Sequence, residues 1–108
     1  MDEIGIQDFK KIDLRVGMIS DVQDIETKKP MFILTLDLGT EKRTIVAGIK
    51  SSFTKEELIG KKVVFVSNLA PKKIMDVESH GMLLIADDGK SLSLISPASD
   101  VELGAKIE

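Results

Sequence analysis

At 108 residues the chain has room for one hydrophobic core, so a single domain spanning 1–108 is expected. Its 43% hydrophobic and 31% charged residues exclude a disordered tail, and the absence of cysteine excludes disulfides and thiolate metal sites. A net charge of −3 excludes binding through global positive charge and leaves local basic patches, for which the pairs Lys28/Lys29, Lys42/Arg43, Lys61/Lys62 and Lys72/Lys73 are the candidates.

The N-terminal stretch MDEIGIQDFKK is acidic where a signal peptide needs a basic start, and no apolar run reaches the ~20 residues of a membrane helix. A cytoplasmic protein without membrane contact is expected. The first strand is LRVGMISDV from Leu14, where a phase slip around Gly17 predicts a glycine bulge. In MFILTLDL from Met31, the residues Phe32, Leu34, Leu36 and Leu38 share one face of a strand. Gly39 and Thr40 then turn the chain into a third strand, RTIVAGI from Arg43.

In SSFTKEELIG, Thr54 and Glu57 form a capping-box pattern and Gly60 supplies the stop, predicting one short helix. A fourth strand, KKVVFVSNL, is β-branched and aromatic without interruption, and Pro71 ends it because proline cannot donate to a ladder. The fifth, HGMLLIAD, meets the sixth, SLSLIS, across a hairpin at Asp88-Gly89, and the tail ASDVELGAKIE carries Val101, Leu103 and Ile107 that should pack. Three meandering strands, a helix and a closing pair predict an all-β OB-fold: a five-stranded Greek-key barrel with one short helix and additional C-terminal strands. Leu83 and Ile85 fall on the interior face. The fifth strand and VVFV are apolar on both faces, so a cover is required: helix and tail, a second subunit, or a ligand.

Catalytic chemistry has little to work with. His80 is the single histidine and tyrosine is absent, so no nucleophile and base are placed together, and His80 reads as an edge residue satisfied by hydrogen bonds. One imidazole without thiolates is a poor metal site, and Asp87-Asp88-Gly89 reads as a turn. Glycine-rich phosphate loops are absent, so neither cofactor nor small-molecule substrate is expected. The four aromatics are all phenylalanine, and Phe32, Phe53 and Phe65 lie in core patterns, leaving few platforms for base stacking.

The succession DLRVG, RTIVAGI, TKEELIGKK, SNLAPKKIMDVES and GMLL nevertheless resembles the tRNA-binding domain appended to the C-terminus of methionyl-tRNA synthetases and its free-standing homodimeric relatives. The likeness runs from about Asp8 to about Ile107, and its most specific part is N-L-x-P-x-K-[IL]-x-x-x-x-S-x-G-M-L-L from Asn68 to Leu84. It implies a non-enzymatic OB-fold that binds tRNA by shape and backbone, as a homodimer, assisting a methionyl-tRNA synthetase in trans or as its appendage. By position it assigns RNA contacts to Lys73, Ser79 and Met82, and Lys72 joins them on charge grounds. The lysines would meet phosphates, Ser79 a sugar or phosphate oxygen, and Met82 a base or ribose. Where relatives carry His-Pro-Asn-Ala-Asp-Lys-Leu, this chain has Ile25 to Met31; the family's asparagine and lysine become Thr27 and Pro30, and Lys28 and Lys29 supply charge from shifted positions. A second expectation, from a different class, is a protein-binding module or chaperone using an apolar groove around Met82 and Leu84.

Overall fold

A computed structural model describes residues 1–25 and 29–108. A short helix, α1 (Ile6–Phe9), leads into β1 (Leu14–Ile25), followed by β2 (Met31–Asp37) and β3 (Lys42–Ala47). Helix α2 (Lys55–Leu58) connects to β4 (Lys62–Val66), then come β5 (Lys72–Ile74), β6 (Val77–Ser79), β7 (Met82–Leu83), β8 (Ile85–Asp87) and β9 (Leu92–Leu94). The main antiparallel sheet has the order β3-β2-β1-β4-β7 and curls until β3 lies beside β6 and β7. This is the expected OB-type half-barrel. No helix among the described residues is long and apolar enough to cross a membrane.

Strand β1 organises the sheet because it serves two partners along its length. Leu14 to Met18 pair with β4, and Met18 to Ile25 pair with β2. Its register shift falls between Ile19 and Asp21, not at Gly17. There the Ser20 hydroxyl donates to the Thr35 carbonyl at 3.2 Å. Gly17 pairs regularly with Val63, and its missing side chain has another cause: a Cβ there would stand 3.3 Å from the Phe65 ring and 3.5 Å from Leu36 Cβ. The expected bulge glycine is a packing glycine.

The interior follows the alternation of β2. Phe32, Leu34, Leu36 and Leu38 are buried together with Ile19, Ile45, Val63, Phe65 and Leu83, while Ile85 packs partly buried against them. Leu58 of α2 joins this core, and the capping box holds α2 as expected: the Glu57 N–H donates to Thr54 Oγ1 at 3.2 Å, and the Thr54 N–H to Glu57 Oε1 at 2.9 Å. All four residues Val63 to Val66 are buried within the single chain. The Val64 N–H donates to the Ile95 carbonyl and the Leu84 N–H to the Val64 carbonyl, so the chain's own later segments follow this strand. VVFV therefore presents no face to a second subunit.

The expected fifth strand is split. Met82–Leu83 pair with β4, whereas Ile85–Asp87 pair with β9, so the backbone changes sheets at Leu84. The closing hairpin is centred beyond Asp88-Gly89: Asp87 pairs with Leu92, and the Asp88 carboxylate accepts from the Lys90 and Ser91 N–H groups, both at 2.8 Å. The tail is anchored through its backbone. Gly104 and Ile107 donate to the Val16 and Leu14 carbonyls, and Val16 donates to Ala105, on the side of β1 that β2 leaves free. Leu103 and Ile107 are half-buried and Val101 is at the surface.

A polar clamp around Asp13 ties the N-terminal segment to the end of β4. The Asp13 carboxylate accepts from the Ser67 hydroxyl and from Arg15 Nε at 3.0 Å. Asn68 bridges the same region, accepting from the Asp13 N–H at 2.9 Å and donating to the Lys11 carbonyl at 2.7 Å. The Ser67 hydroxyl first, and Arg15 second, hold the Asp13 pKa below the ordinary carboxylate value. A lowered folded-state pKa adds stability above about pH 4, and that increment disappears as pH falls through the folded value. Asp13→Asn should accordingly reduce stability at pH 7 and flatten its decline below about pH 4; equal acid profiles by chemical denaturation would count against the clamp.

Closure of the barrel rests on Gly81. Its φ is +126°, and a Cβ there would lie 2.8 Å from the Val66 carbonyl oxygen and 3.2 Å from Ile45 Cδ1. Only glycine fits both the angle and the gap. Gly81→Ala should cost about 2–3 kcal/mol of unfolding free energy, measurable by urea titration; a loss under about 0.5 kcal/mol would show that this approach is not required.

Candidate nucleic-acid interface

The segment NLAPKKIMDVES, which follows the fourth strand, contains a hairpin. Lys72 pairs with Ser79, Lys73 with Glu78 and Ile74 with Val77, leaving Met75 and Asp76 as a two-residue connection. Residues directly opposite in an antiparallel pair share a face. Lys72, Ile74, Val77 and Ser79 therefore lie on one face of the hairpin, and Lys73 and Glu78 on the other.

The first of these faces docks on β3. As an edge strand, β3 offers unpaired backbone groups at Thr44 and Val46. The His80 N–H donates to the Thr44 carbonyl at 2.9 Å, and the Val46 N–H donates to Ser79 Oγ at 3.0 Å. Ser79 is only 7% exposed. A side chain thus closes the barrel edge at this point in place of a ladder bond. His80 contributes through its backbone N–H, just outside the strands, and its imidazole makes no hydrogen bond among the described residues.

Between the docked hairpin, β7 and the chain at Leu69–Ala70 lies an open basin of about 440 Å³. Val46, Ser79 and Gly81 line it together with Ile74, Met82 and Lys72. Met82 is 50% exposed and Leu69 43%, so the basin has an apolar rim beside one ammonium group. Three of the six anticipated residues, Lys72, Ser79 and Met82, are brought together here. Lys73 is exposed on the opposite face of the hairpin with Glu78 across from it. Lys29 is exposed on the connection leading into β2, near the sheet end where Phe32 pairs with Ala47, and it does not line the basin. Lys28 lies outside the described residues.

Several other basic residues are engaged, although Lys42 and Lys61 of the candidate pairs form no ion pair among the described residues. Arg43 donates to the Ser67 carbonyl at 2.7 Å and to Glu41 at 3.2 Å, and Lys62 donates to Asp100 and to the Val101 carbonyl. Lys50 and Lys55 both contact the Asp24 carboxylate, at 2.8 and 2.9 Å, and lower its pKa through hydrogen bonds. Lys72 and Lys73, by contrast, have no carboxylate within ion-pair distance among the described residues. Phe32 and Phe65 are fully in the core, and Phe53 is partly buried against it, as their patterns implied. Sequence reasoning missed Val46 and Gly81 because their contribution is a backbone N–H and an absent side chain.

Residues 14–106 match the family model described as "Putative tRNA binding domain". The chain belongs to this family. It is 49% identical over 107 residues to the methionine–tRNA ligase of Pyrococcus horikoshii, covering 99% of this chain and 15% of the ligase. It is 47% identical over 104 residues to the ligase of Nanoarchaeum equitans, covering 96% of this chain and 13% of that enzyme. The chain therefore spans about one-seventh of the ligases it matches. Two solved structures agree in fold. The methionyl-tRNA synthetase-related protein of Pyrococcus horikoshii superposes with a TM-score of 0.92 at 38% identity over the whole of both chains. The CsaA chaperone protein of Picrophilus torridus gives 0.90 at 37% identity, covering 98% of this chain and 100% of that one.

The Ser79 contact has a measurable weight. Ser79→Ala leaves the Val46 N–H without its acceptor and should cost about 1–3 kcal/mol, with faster hydrogen exchange at the Val46 amide. Unchanged exchange there would mean that the hairpin is held by other contacts.

Proposed function

We propose that this chain is a non-catalytic, single-domain tRNA-binding module that grips tRNA by shape and sugar-phosphate backbone. The carrying observation is the basin itself: Lys72, unpaired among the described residues, stands beside the apolar rim of Met82 and Leu69 in a member of a tRNA-binding family. Phosphate contacts by lysine need no base pairing in the protein's frame and carry no sequence information. An apolar rim without exposed phenylalanine suits a ribose or one face of a base.

Within this reading Lys72 is the principal phosphate contact of the hairpin. Lys73 adds a weaker one from the opposite face, where Glu78 lowers the local potential. Ser79 acts by holding the hairpin on Val46, and its own hydroxyl proton is available to a sugar or phosphate oxygen. Lys29, exposed on the connection before β2, adds a further positive charge, and Lys28 is proposed as an RNA contact on charge alone. The similarity to one-seventh of methionine–tRNA ligases supports a role beside such an enzyme, as its appendage or in trans; that the chain acts as a homodimer is part of the same proposal and rests on the family resemblance alone.

A chaperone-like reading draws on the same exposed Met82, with Leu69 at the basin rim in place of the expected Leu84, which is half-buried and does not line it, and on the likeness to the CsaA chaperone protein. Competition separates the two: an unfolded polypeptide that displaces tRNA stoichiometrically would place both ligands in this basin, and polypeptide binding without any tRNA binding would refute the tRNA reading.

Binding of whole tRNA should weaken linearly on a log-log plot against salt, because each neutralised phosphate releases counterions. Lys72→Ala should lower the slope by about 0.7–0.9, whereas Lys73→Ala should change it by less than half of that. Equal effects of the two substitutions would contradict the facing of the hairpin.

A further inference from the structure

The tip of the β5–β6 hairpin needs a left-handed backbone that its residue types do not favour. Met75 and Asp76 have φ of +49° and +67°, and they are the only non-glycine residues with positive φ among the described residues. Two-residue hairpin connections with both residues in the left-handed region favour Asn-Gly or Asp-Gly, because a Cβ crowds the backbone there. A methionine at the first position has neither the freedom of glycine nor the local hydrogen bonding of asparagine. It also buries little in return, since Met75 is 61% exposed.

Strain of this kind persists where the side chain does something that a relaxed residue could not. The surroundings of Met75 narrow what that is. It lies two residues beyond Lys73 and stands on the outer end of the same hairpin that walls the basin. A tRNA whose backbone is held at Lys72 would have its neighbouring nucleotides beside this hairpin, whose tip carries Met75. The side chain is unbranched, flexible and polarizable, and so able to follow an aromatic face. With Phe32 and Phe65 fully buried, the exposed apolar groups near the basin are Met75, Met82 and Leu69, and of these Met75 alone is carried on a projecting turn.

We infer that Met75 is an RNA-contacting residue that packs against the base or ribose face of an unpaired nucleotide, making the module prefer tRNA with accessible single-stranded nucleotides over continuous duplex. This rests on the tRNA-binding reading above and adds a specificity element to it. Duplex RNA presents its bases stacked and edge-on, and offers no free face for such a contact.

Two substitutions separate the contact from the strain. Met75→Asn suits the left-handed conformation but removes the apolar side chain, whereas Met75→Leu keeps the apolar character and the strain. Met75→Asn should raise the melting temperature by about 3–8 °C. It should also weaken whole-tRNA binding by about 5–10-fold without altering the salt slope, and leave binding to a fully paired RNA of equal length unchanged. Met75→Leu should bind tRNA within about two-fold of the unmodified protein. A more stable Met75→Asn protein with undiminished tRNA affinity would overturn the inference, as would an equal loss on duplex RNA. Failure of the unmodified protein to bind tRNA at all would instead overturn the broader reading, and this one with it.

Discussion

The hydrogen bond from the Val46 N–H to Ser79 Oγ is the contact on which the candidate surface depends. An OB-type sheet must close between its third and last strands, and here the two edges do not meet in a continuous ladder. The gap is bridged by one side-chain acceptor, one backbone bond from His80 to Thr44, and the close packing of Gly81 against Ile45 of β3. Closing the barrel and presenting the basin are therefore the same event. Residues 79 to 81 hold the hairpin down, and the hairpin in turn sets the direction of Lys72.

This gives the S-x-G-M-L-L signature a physical division of labour. Ser79 and Gly81 satisfy and shape the closure, Leu83 fills the core, and Met82 remains half exposed at the basin rim. The preceding S-N-L is divided in the same way: Ser67 and Asn68 belong to the clamp around Asp13, whereas Leu69 reaches the basin. A motif that looks uniformly functional in the sequence is largely a fastening device with few solvent-facing members.

Much of the fold could be read from the residues. The period-two pattern of Phe32, Leu34, Leu36 and Leu38, and the Thr54–Glu57 capping box, are local signals that tertiary structure had no reason to override. The errors share a cause. Gly17 was expected to bend the strand, but the sheet needed space for Phe65; VVFV looked like an interface, but later segments of the same chain cover it. Long-range packing decided each case. The β5–β6 hairpin was invisible because Met75-Asp76 carries no turn signal, and without the hairpin the opposite facing of Lys72 and Lys73 could not be derived. Basin residues with a polar side chain were legible through the family resemblance, whereas Val46 was not, since any residue can supply a backbone N–H.

The central claim is that the basin beside the docked hairpin receives tRNA. Backbone amide resonances followed during titration with whole tRNA test it most directly. The account predicts that the largest perturbations cluster at Val46, Leu69 to Ser79 and Met82. Perturbations concentrated instead around Phe53, Glu57 and Leu94, at the groove between α2 and β9, would contradict it.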